Sequence, residues 1–162
     1  MPRFAGIASC EWHRKDSTMM NPLNEAVTGG TVQYINPTGL IRNDAFTQVV
    51  AVSGPVKTIH VGAQNAVDGS GTIVGRGDIA AQTEQVLRNI QTCLEACGAG
   101  PEHLIQWRIY ITQGQPIQQA FGVFQRWWGG RPDPPANTVL FVSGFMPPDF
   151  LLAIEAIAVI PA

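Results

Sequence analysis

Apolar side chains recur at helical spacing in two segments of the chain, and each segment has its own start and stop signals. Asp78 is a good N-cap for the first helix, because its carboxylate can accept hydrogen bonds from the unpaired N–H groups of the first turn. Gly98 is the kind of residue that commonly ends such a helix. Pro116 suits the first turn of the second helix, and Gly129 and Gly130 end it. The pattern predicts two amphipathic helices, each with one face packed against a sheet.

Between and around the helices, short apolar segments rich in β-branched residues predict strands. Two of these segments flank the turn sequence Ser53-Gly54-Pro55, so we expect them to pair as a hairpin. The order β-β-α-β-α-β-β predicts an α+β fold, in which a mixed sheet carries both helices on one face. The predicted strands are residues 46–52, 57–61, 104–111, 137–143 and 151–160, and a further short strand is predicted at residues 31–35.

The chain has 162 residues, which predicts one domain with a core of its own. Residues 1–43 show little regular periodicity, so we expect a partly irregular N-terminal extension ahead of a domain that spans residues 44–162. Hydrophobic residues make up 45% of the sequence and charged residues only 14%. A surface so poor in charge predicts that a partner subunit covers part of it.

Charge and composition exclude several classes of function. The formal net charge of -2 offers no basic surface for a nucleic acid. No apolar run reaches the roughly 18 residues that span a membrane, and the N-terminus lacks the apolar core of a signal peptide. We therefore expect a cytoplasmic protein whose cysteines (Cys10, Cys93 and Cys97) are reduced. Its histidines are far apart in the sequence, so no metal site is expected.

Several short motifs follow one another along the last three-quarters of the chain. They are Val61-Gly62-Ala63-Gln64, Gly77-Asp78-Ile79-Ala80-Ala81-Gln82-Thr83, Gly129-Gly130-Arg131-Pro132 and Ile154-Glu155-Ala156-Ile157-Ala158. Together they resemble motifs of the Rid family, also called YjgF, whose members are small trimeric imine and enamine deaminases. The resemblance covers roughly residues 44–162 and implies the Rid fold, which is similar to the chorismate-mutase-like fold, with a central barrel formed by the sheets of a homotrimer. It also implies that a small-molecule substrate binds in clefts between subunits, without a cofactor.

Glu155 interrupts an otherwise aliphatic strand, where a charge is costly to bury unless it is paired or hydrogen-bonded. One interpretation is a strand carboxylate that points to solvent or pairs with an arginine. The resemblance implies another, in which Glu155 is catalytic and positions or activates the attacking water.

Asn137 is the main departure from the family. The family's loop reads Pro-Ala-Arg-Ser, and its arginine clamps the substrate carboxylate, whereas here that position holds an amide. Replacing the guanidinium loses a charge-assisted interaction on the order of 1.5–3 kcal/mol. We therefore expect 2-imino acids to bind poorly unless another cation, such as Arg108, Arg131 or Arg42, takes over. Asn137 itself would hydrogen-bond the substrate and is the second catalytic candidate.

The resemblance assigns four further residues to substrate binding. Phe46 stands where the family often has a tyrosine, which keeps the ring but removes a hydroxyl donor. The backbone amide of Val139 and the hydroxyl of Thr138 match ligand-contacting positions. Ala63 replaces a glycine that allows close approach, so its methyl group narrows the site. Together with Asn137, these residues predict a more apolar pocket for a less charged ligand.

Two functional hypotheses follow from the sequence. The first is a divergent Rid-type enzyme that processes an imine or enamine by hydrolysis or a related step. The second is a noncatalytic trimer that binds a small molecule in the same clefts. A weaker third hypothesis is a structural trimer whose N-terminal extension covers the clefts. Trp127 and Trp128 are interpreted as packing residues at the end of an amphipathic helix, not as a ligand platform.

Overall fold

The structure is a computed structural model that describes residues 29–162. Most of the predicted N-terminal extension, with Cys10, lies outside the described residues. The described strands are β1 (Thr31–Ile35), β2 (Val49–Ser53), β3 (Val56–Gln64), β4 (Leu104–Thr112), β5 (Ala136–Val142) and β6 (Leu152–Pro161). The helices are α1 (Ile79–Ala96) and α2 (Ile117–Trp128), with a short 3-10 turn at Pro101–His103.

The ends of both helices follow the signals in the sequence. The Asp78 side chain accepts hydrogen bonds from the backbone N–H groups of Ala80 and Ala81, at 2.9 and 3.1 Å. Gly98 follows the end of α1 with a φ of 75°, a left-handed conformation that glycine adopts without a Cβ clash. Pro116 directly precedes α2, and Gly129 ends it in the left-handed region. Both predicted helices are therefore confirmed.

The main sheet contains four strands in the order β3-β6-β4-β5. β6 runs antiparallel to both β3 and β4, whereas β4 and β5 are parallel and are connected through α2. α1 contacts β3, β6 and α2. The predicted mixed sheet with both helices on one side is confirmed, and we call the side that packs on the helices the helix face and the opposite side the open face.

The predicted hairpin between the second and third strands is wrong. β2 instead pairs antiparallel with β1, from Thr31 opposite Ser53 to Ile35 opposite Val49, while β3 pairs with β6. The turn explains why β2 and β3 do not pair with each other. Pro55 has no N–H to donate to a strand partner, and its carbonyl oxygen accepts a hydrogen bond from the backbone N–H of Ala162 at 3.1 Å. β1 precedes residue 44, so this pairing joins part of the predicted extension to the rest of the fold.

The core lies between the helices and the helix face. Trp107 of β4 is at its centre, with only 1% of its surface exposed. Its ring packs edge-on against Phe124 at a centroid distance of 4.6 Å, and Trp127 and Trp128 lie at 6.3 and 6.2 Å. The two C-terminal tryptophans of α2 therefore pack in an aromatic cluster, as the sequence predicted.

A buried amide fixes α1 relative to the sheet. Gln82 has no exposed surface, and its Nε2 donates to the carbonyl oxygens of Gly75 and Asp149, at 3.2 and 2.7 Å. Its Oε1 accepts from the backbone N–H of Leu151 at 2.9 Å. One side chain thus satisfies backbone groups in the loop before α1 and in the segment that leads into β6, which sets the position of the helix over the strand.

Candidate functional site

A cavity of about 340 Å³ lies between the helix face of the sheet and the two helices. We call it the apolar cavity. Strand side chains form its floor, and they alternate along each strand so that every second residue faces the helices. The floor consists of Trp107, Ile109 and Ile111 from β4, Leu152 and Ile154 from β6, and Asn137 and Val139 from β5.

The opposite wall comes from the helices, and the mouth comes from the segment that precedes β2. On α2, the apolar stripe that the sequence predicted supplies the wall: Ile117, Ala120, Phe121 and Phe124. Thr83 and Leu87 complete the wall from α1. Asn43, Ala45 and Phe46 line the mouth. Since none of the lining residues is charged, the cavity offers a ligand only apolar surface and a few neutral polar groups.

Three of the predicted site residues meet at this cavity: Asn137, Val139 and Phe46. Asn137 and Val139 are alternate residues of β5 and therefore point to the same face. Asn137 is the register partner of Trp107, and Val139 is the partner of Ile109. No hydrogen bond of the Asn137 side chain is found among residues 29–162, so its amide is available to a ligand.

Glu155 lies on the open face, away from this cavity. It is the register partner of Arg108, and its Oε2 accepts a hydrogen bond from the Arg108 guanidinium at 3.3 Å. These two residues line a second, shallower hollow of about 210 Å³, together with His60 and Gln106. The side chains are 37% and 46% exposed, so solvent screens the ion pair and it contributes little to stability. Within one chain, the two predicted catalytic residues, Glu155 and Asn137, lie on opposite faces of the sheet.

The remaining two predicted residues line neither of these spaces. Thr138 is exposed and pairs in register with Arg108, which places it on the open face. Ala63 is exposed near the register shift between Val61 and Gln64 in β3. A single chain therefore does not bring Thr138 or Ala63 to the apolar cavity.

The three arginines proposed to replace the family's carboxylate-binding arginine lie outside the apolar cavity. Arg131 donates to the backbone carbonyl of Trp127 at 2.8 Å and stacks over the rings of Trp127 and Trp128, with its guanidinium carbon 5.9 Å from each centroid. It therefore stabilises the C-terminal end of α2. Arg42 lines, with Asp44, a groove of about 500 Å³ that adjoins the mouth of the apolar cavity. Neither Arg42, Arg108 nor Arg131 lines the cavity itself.

Sequence reasoning missed Trp107 as a site residue. The alternation of β4 placed it on the apolar face, but no signal distinguished a core residue from a cavity wall. Its indole nitrogen, Nε1, is buried and has no hydrogen-bond partner in the part of the chain that the structure describes. Thr83 and Asn43 were missed in the same way. The Thr83 hydroxyl is already used, since it donates to the carbonyl of Ile79 at 2.7 Å.

The perturbed titrations in the described part of the chain lie outside the cavity. Burial, with a smaller contribution from the negative charge of Asp133, raises the pKa of Tyr34. The Ser70 hydroxyl, which donates to the carboxylate of Asp68, lowers the pKa of that carboxyl group. Neither of the two described groups with a shifted pKa belongs to the lining of the apolar cavity.

No group of histidine, cysteine, aspartate or glutamate side chains in residues 29–162 is arranged to hold a metal ion. Cys93 and Cys97 are half-buried free thiols at the C-terminal end of α1. In the same range, no helix is both long and apolar enough to cross a membrane.

Comparison with known proteins gives a consistent set of relatives. The family model described as Endoribonuclease L-PSP matches residues 42–160. The structure resembles that of YyfB from Yersinia pestis, described as a protein of unknown function of the conserved Rid protein family. The TM-score is 0.71 and the sequences are 30% identical, over 80% of this chain and 98% of that one.

Two curated relatives show similar identity. A RutC family protein from Pyrococcus horikoshii is 32% identical over 100 residues, which are 62% of this chain and 77% of the relative. Protein DfrA from Myxococcus xanthus is 30% identical over 114 residues, which are 70% of this chain and 84% of the relative. In each comparison the match spans most of the relative.

Proposed function

Because the chain belongs to the Rid family, as the match of its residues 42–160 to the Endoribonuclease L-PSP model shows, we propose that it binds a small molecule in the apolar cavity. This molecule is uncharged and largely apolar. The ligand class that family resemblance favours is a carbonyl compound, an imine or an enamine. The notable difference from the family pattern is the neutral amide of Asn137 in place of the carboxylate-binding arginine.

The observation that carries this proposal is that none of the described residues lining the cavity is charged. A carboxylate that entered the cavity would lose its hydration and meet no cation, which is strongly unfavourable. A neutral molecule loses less hydration and gains apolar contact with the side chains of β4 and α2. A volume of about 340 Å³ suits a molecule with a single ring or a short branched chain.

The name of the family model, and those of several relatives, raise RNA cleavage as another activity. A putative endoribonuclease from Thermotoga maritima, for example, is 27% identical, with a TM-score of 0.58. The features of this chain do not favour RNA as a ligand, because its formal net charge is -2 and phosphate binding relies on basic side chains. The apolar cavity also lacks a titratable side chain that could act as a general acid or base.

A matched ligand pair tests the proposed binding. Acetophenone and benzoylformate share a phenyl ketone, but only benzoylformate adds a carboxylate. We expect acetophenone to raise the melting temperature of the protein and benzoylformate to have little effect, since ligands stabilise the state they bind. A neutral cyclic imine, 2-phenyl-1-pyrroline, should behave like acetophenone. If none of the neutral probes shifts the melting temperature at millimolar concentration, the proposed function is wrong.

Two substitutions of alanine by tryptophan test where the ligand binds. Ala45→Trp places a large ring at the mouth of the apolar cavity, where Ala45 is half-buried in a loop. Ala63→Trp adds the same ring at an exposed position of β3 that lines none of these spaces. We expect Ala45→Trp to abolish the acetophenone shift and Ala63→Trp to preserve it. The opposite result would place the ligand elsewhere.

A second candidate function is hydrolysis of a neutral imine to a carbonyl compound and an amine, with one water molecule consumed. The observation in its favour is the Glu155 carboxylate in the open-face hollow, beside Arg108 and His60. Within one chain Glu155 cannot reach a ligand in the apolar cavity, so catalysis requires that a neighbouring subunit brings it there. We expect Glu155→Gln to abolish hydrolysis of a neutral imine and to retain acetophenone binding. Hydrolysis at the wild-type rate in this variant would exclude Glu155 as the catalytic base.

The proposal includes a homotrimer. Support comes from β5, which is the end strand of the main sheet and exposes Leu140 to 47% and Phe141 to 56%. An edge strand with exposed apolar side chains favours association with another chain. Native mass spectrometry of the wild type should give three times the monomer mass, and Leu140→Lys should shift the distribution toward monomer. A monomeric wild type would contradict the trimer and, with it, the proposed role of Glu155.

A further inference from the structure

The indole N–H of Trp107 is a donor without an acceptor among residues 29–162. Its nitrogen is closed to solvent, the residue is 1% exposed, and none of the described residues is its hydrogen-bond partner. Buried donors without a partner are uncommon in folded proteins, and each one requires an explanation such as an absent water or ligand. Trp107 is also part of the floor of the apolar cavity.

A second unpaired polar group lies beside it. Trp107 and Asn137 are register partners on the parallel strands β4 and β5, so their side chains are neighbours on the helix face. Both line the apolar cavity, and the Asn137 amide has no hydrogen bond among residues 29–162. The floor around them is aliphatic. An acceptor in the cavity can approach the Asn137 amide Nδ2 directly, and it reaches the solvent-closed indole Nε1 only after a neighbouring side chain moves aside.

We propose that the Trp107 indole and the Asn137 amide donate together to a single acceptor atom of the ligand, a carbonyl oxygen or an imine nitrogen. This inference rests on the proposed function and narrows it, because it requires that the buried end of the ligand carry an acceptor. Asn137 has no hydrogen bond within residues 29–162 that fixes its rotamer, so its amide can turn to admit the acceptor beside the shielded indole nitrogen. Trp107 is thereby a specificity-determining residue for ketones, lactams and imines over hydrocarbons of the same shape.

One competing account keeps Trp107 purely structural. The ring of Phe124 lies 4.6 Å from that of Trp107 at an interplanar angle of 69°, so the N–H could point at the aromatic face and remain there. The two accounts predict different chemical shifts for the indole proton. A proton over a ring is shielded and stays upfield when ligand is added, whereas a proton that donates to a carbonyl moves downfield.

The test uses acetophenone and α-methylstyrene, which differ only in the exchange of C=O for C=CH₂. The protein is labelled on tryptophan, and the indole signal that disappears in Trp107→Phe identifies Trp107. We expect acetophenone to move this signal downfield and α-methylstyrene to leave it near its original position. The ratio of the two dissociation constants should fall by roughly tenfold for each donor removed, in Trp107→Phe and in Asn137→Leu. Comparison of ratios between variants cancels the different hydrophobicity of the two probes.

The outcomes separate this inference from the proposed function. If both probes bind, and the indole signal and the ratio of dissociation constants do not change, the two-donor inference is overturned while binding in the apolar cavity stands. If neither probe binds, both are overturned. Should Trp107→Phe fail to fold, Asn137→Leu and the wild-type indole signal still decide the question. An unchanged ratio in Asn137→Leu together with a static indole signal is sufficient to reject the inference.

Discussion

Substitution of Asn137 by arginine tests whether the neutral cavity sets the charge of the ligand. Asn137 is half-buried in the floor of the apolar cavity, and none of the lining residues carries a charge. In Asn137→Arg, a guanidinium would project into this space. Its two parallel donors match a carboxylate, so a carboxylate ligand should acquire an interaction that the wild type cannot provide.

The expected gain can be estimated from the charge-assisted hydrogen bonds. These contribute about 1.5–3 kcal/mol, which corresponds to a roughly 10- to 150-fold increase in affinity for benzoylformate relative to acetophenone. The free variant should lose about 1–3 kcal/mol of unfolding free energy, because a partly buried cation has no partner until ligand binds. Benzoylformate should then restore part of this stability.

Isothermal titration calorimetry at low ionic strength measures both dissociation constants for each variant. Thr138→Arg is the matched control, since it adds the same charge one residue along β5 but on the open face, in register with Arg108. Only Asn137→Arg should change the preference for the carboxylate. An equal change in Thr138→Arg would show that net charge, not the cavity, controls binding. No change in Asn137→Arg would refute the assignment of Asn137 to the ligand site.

Three further predictions concern the fold that holds the site. Gln82→Leu should lower the free energy of unfolding by about 3 kcal/mol in urea titration, because buried backbone groups lose their partners, and a loss below about 1 kcal/mol would contradict this role. Asp78→Ala should lower the free energy of unfolding by about 1 kcal/mol, because it removes the N-cap of α1, whereas Asp78→Asn should retain most of this stability. Because the pKa of Tyr34 is raised in the folded protein, its contribution to stability is complete below the unfolded value of about pH 10 and is lost as pH rises through the folded value. Tyr34→Phe should therefore lose stability less steeply above about pH 10, and an unchanged alkaline slope would contradict the shift.

The helices were predictable because their signals are local. The capping carboxylate of Asp78 and the left-handed glycines Gly98 and Gly129 act within a few residues of the backbone groups they serve. Strand pairing is different, since partners are distant in sequence. The turn at Ser53-Gly54-Pro55 resembled a hairpin, but β3 pairs with β6 instead. No local sequence pattern indicates which distant strand will pair with β3.

Alternation along a strand gave part of the site. It fixed that Asn137 and Val139 share one face of β5 and that Thr138 has the other. Glu155 could lie on the face of Asn137 or on the face of Thr138, and the strand register decides between them. That register aligns Arg108 with both Glu155 and Thr138. That register placed the predicted catalytic pair on opposite sides of the sheet.

The sequence alone determined the Rid family and the two helices with their ends, and it predicted that the amide of Asn137 stands where the family has a cation. The tertiary structure decided that Asn137 and Trp107 are register partners that line one cavity, whose described lining residues carry no charge. It also decided that Glu155 pairs with Arg108 on the open face. The physical reason is the range of the interactions: caps and side-chain types act within a few residues, whereas a cavity and the face a charge occupies depend on how strands and helices from distant parts of the chain pack together.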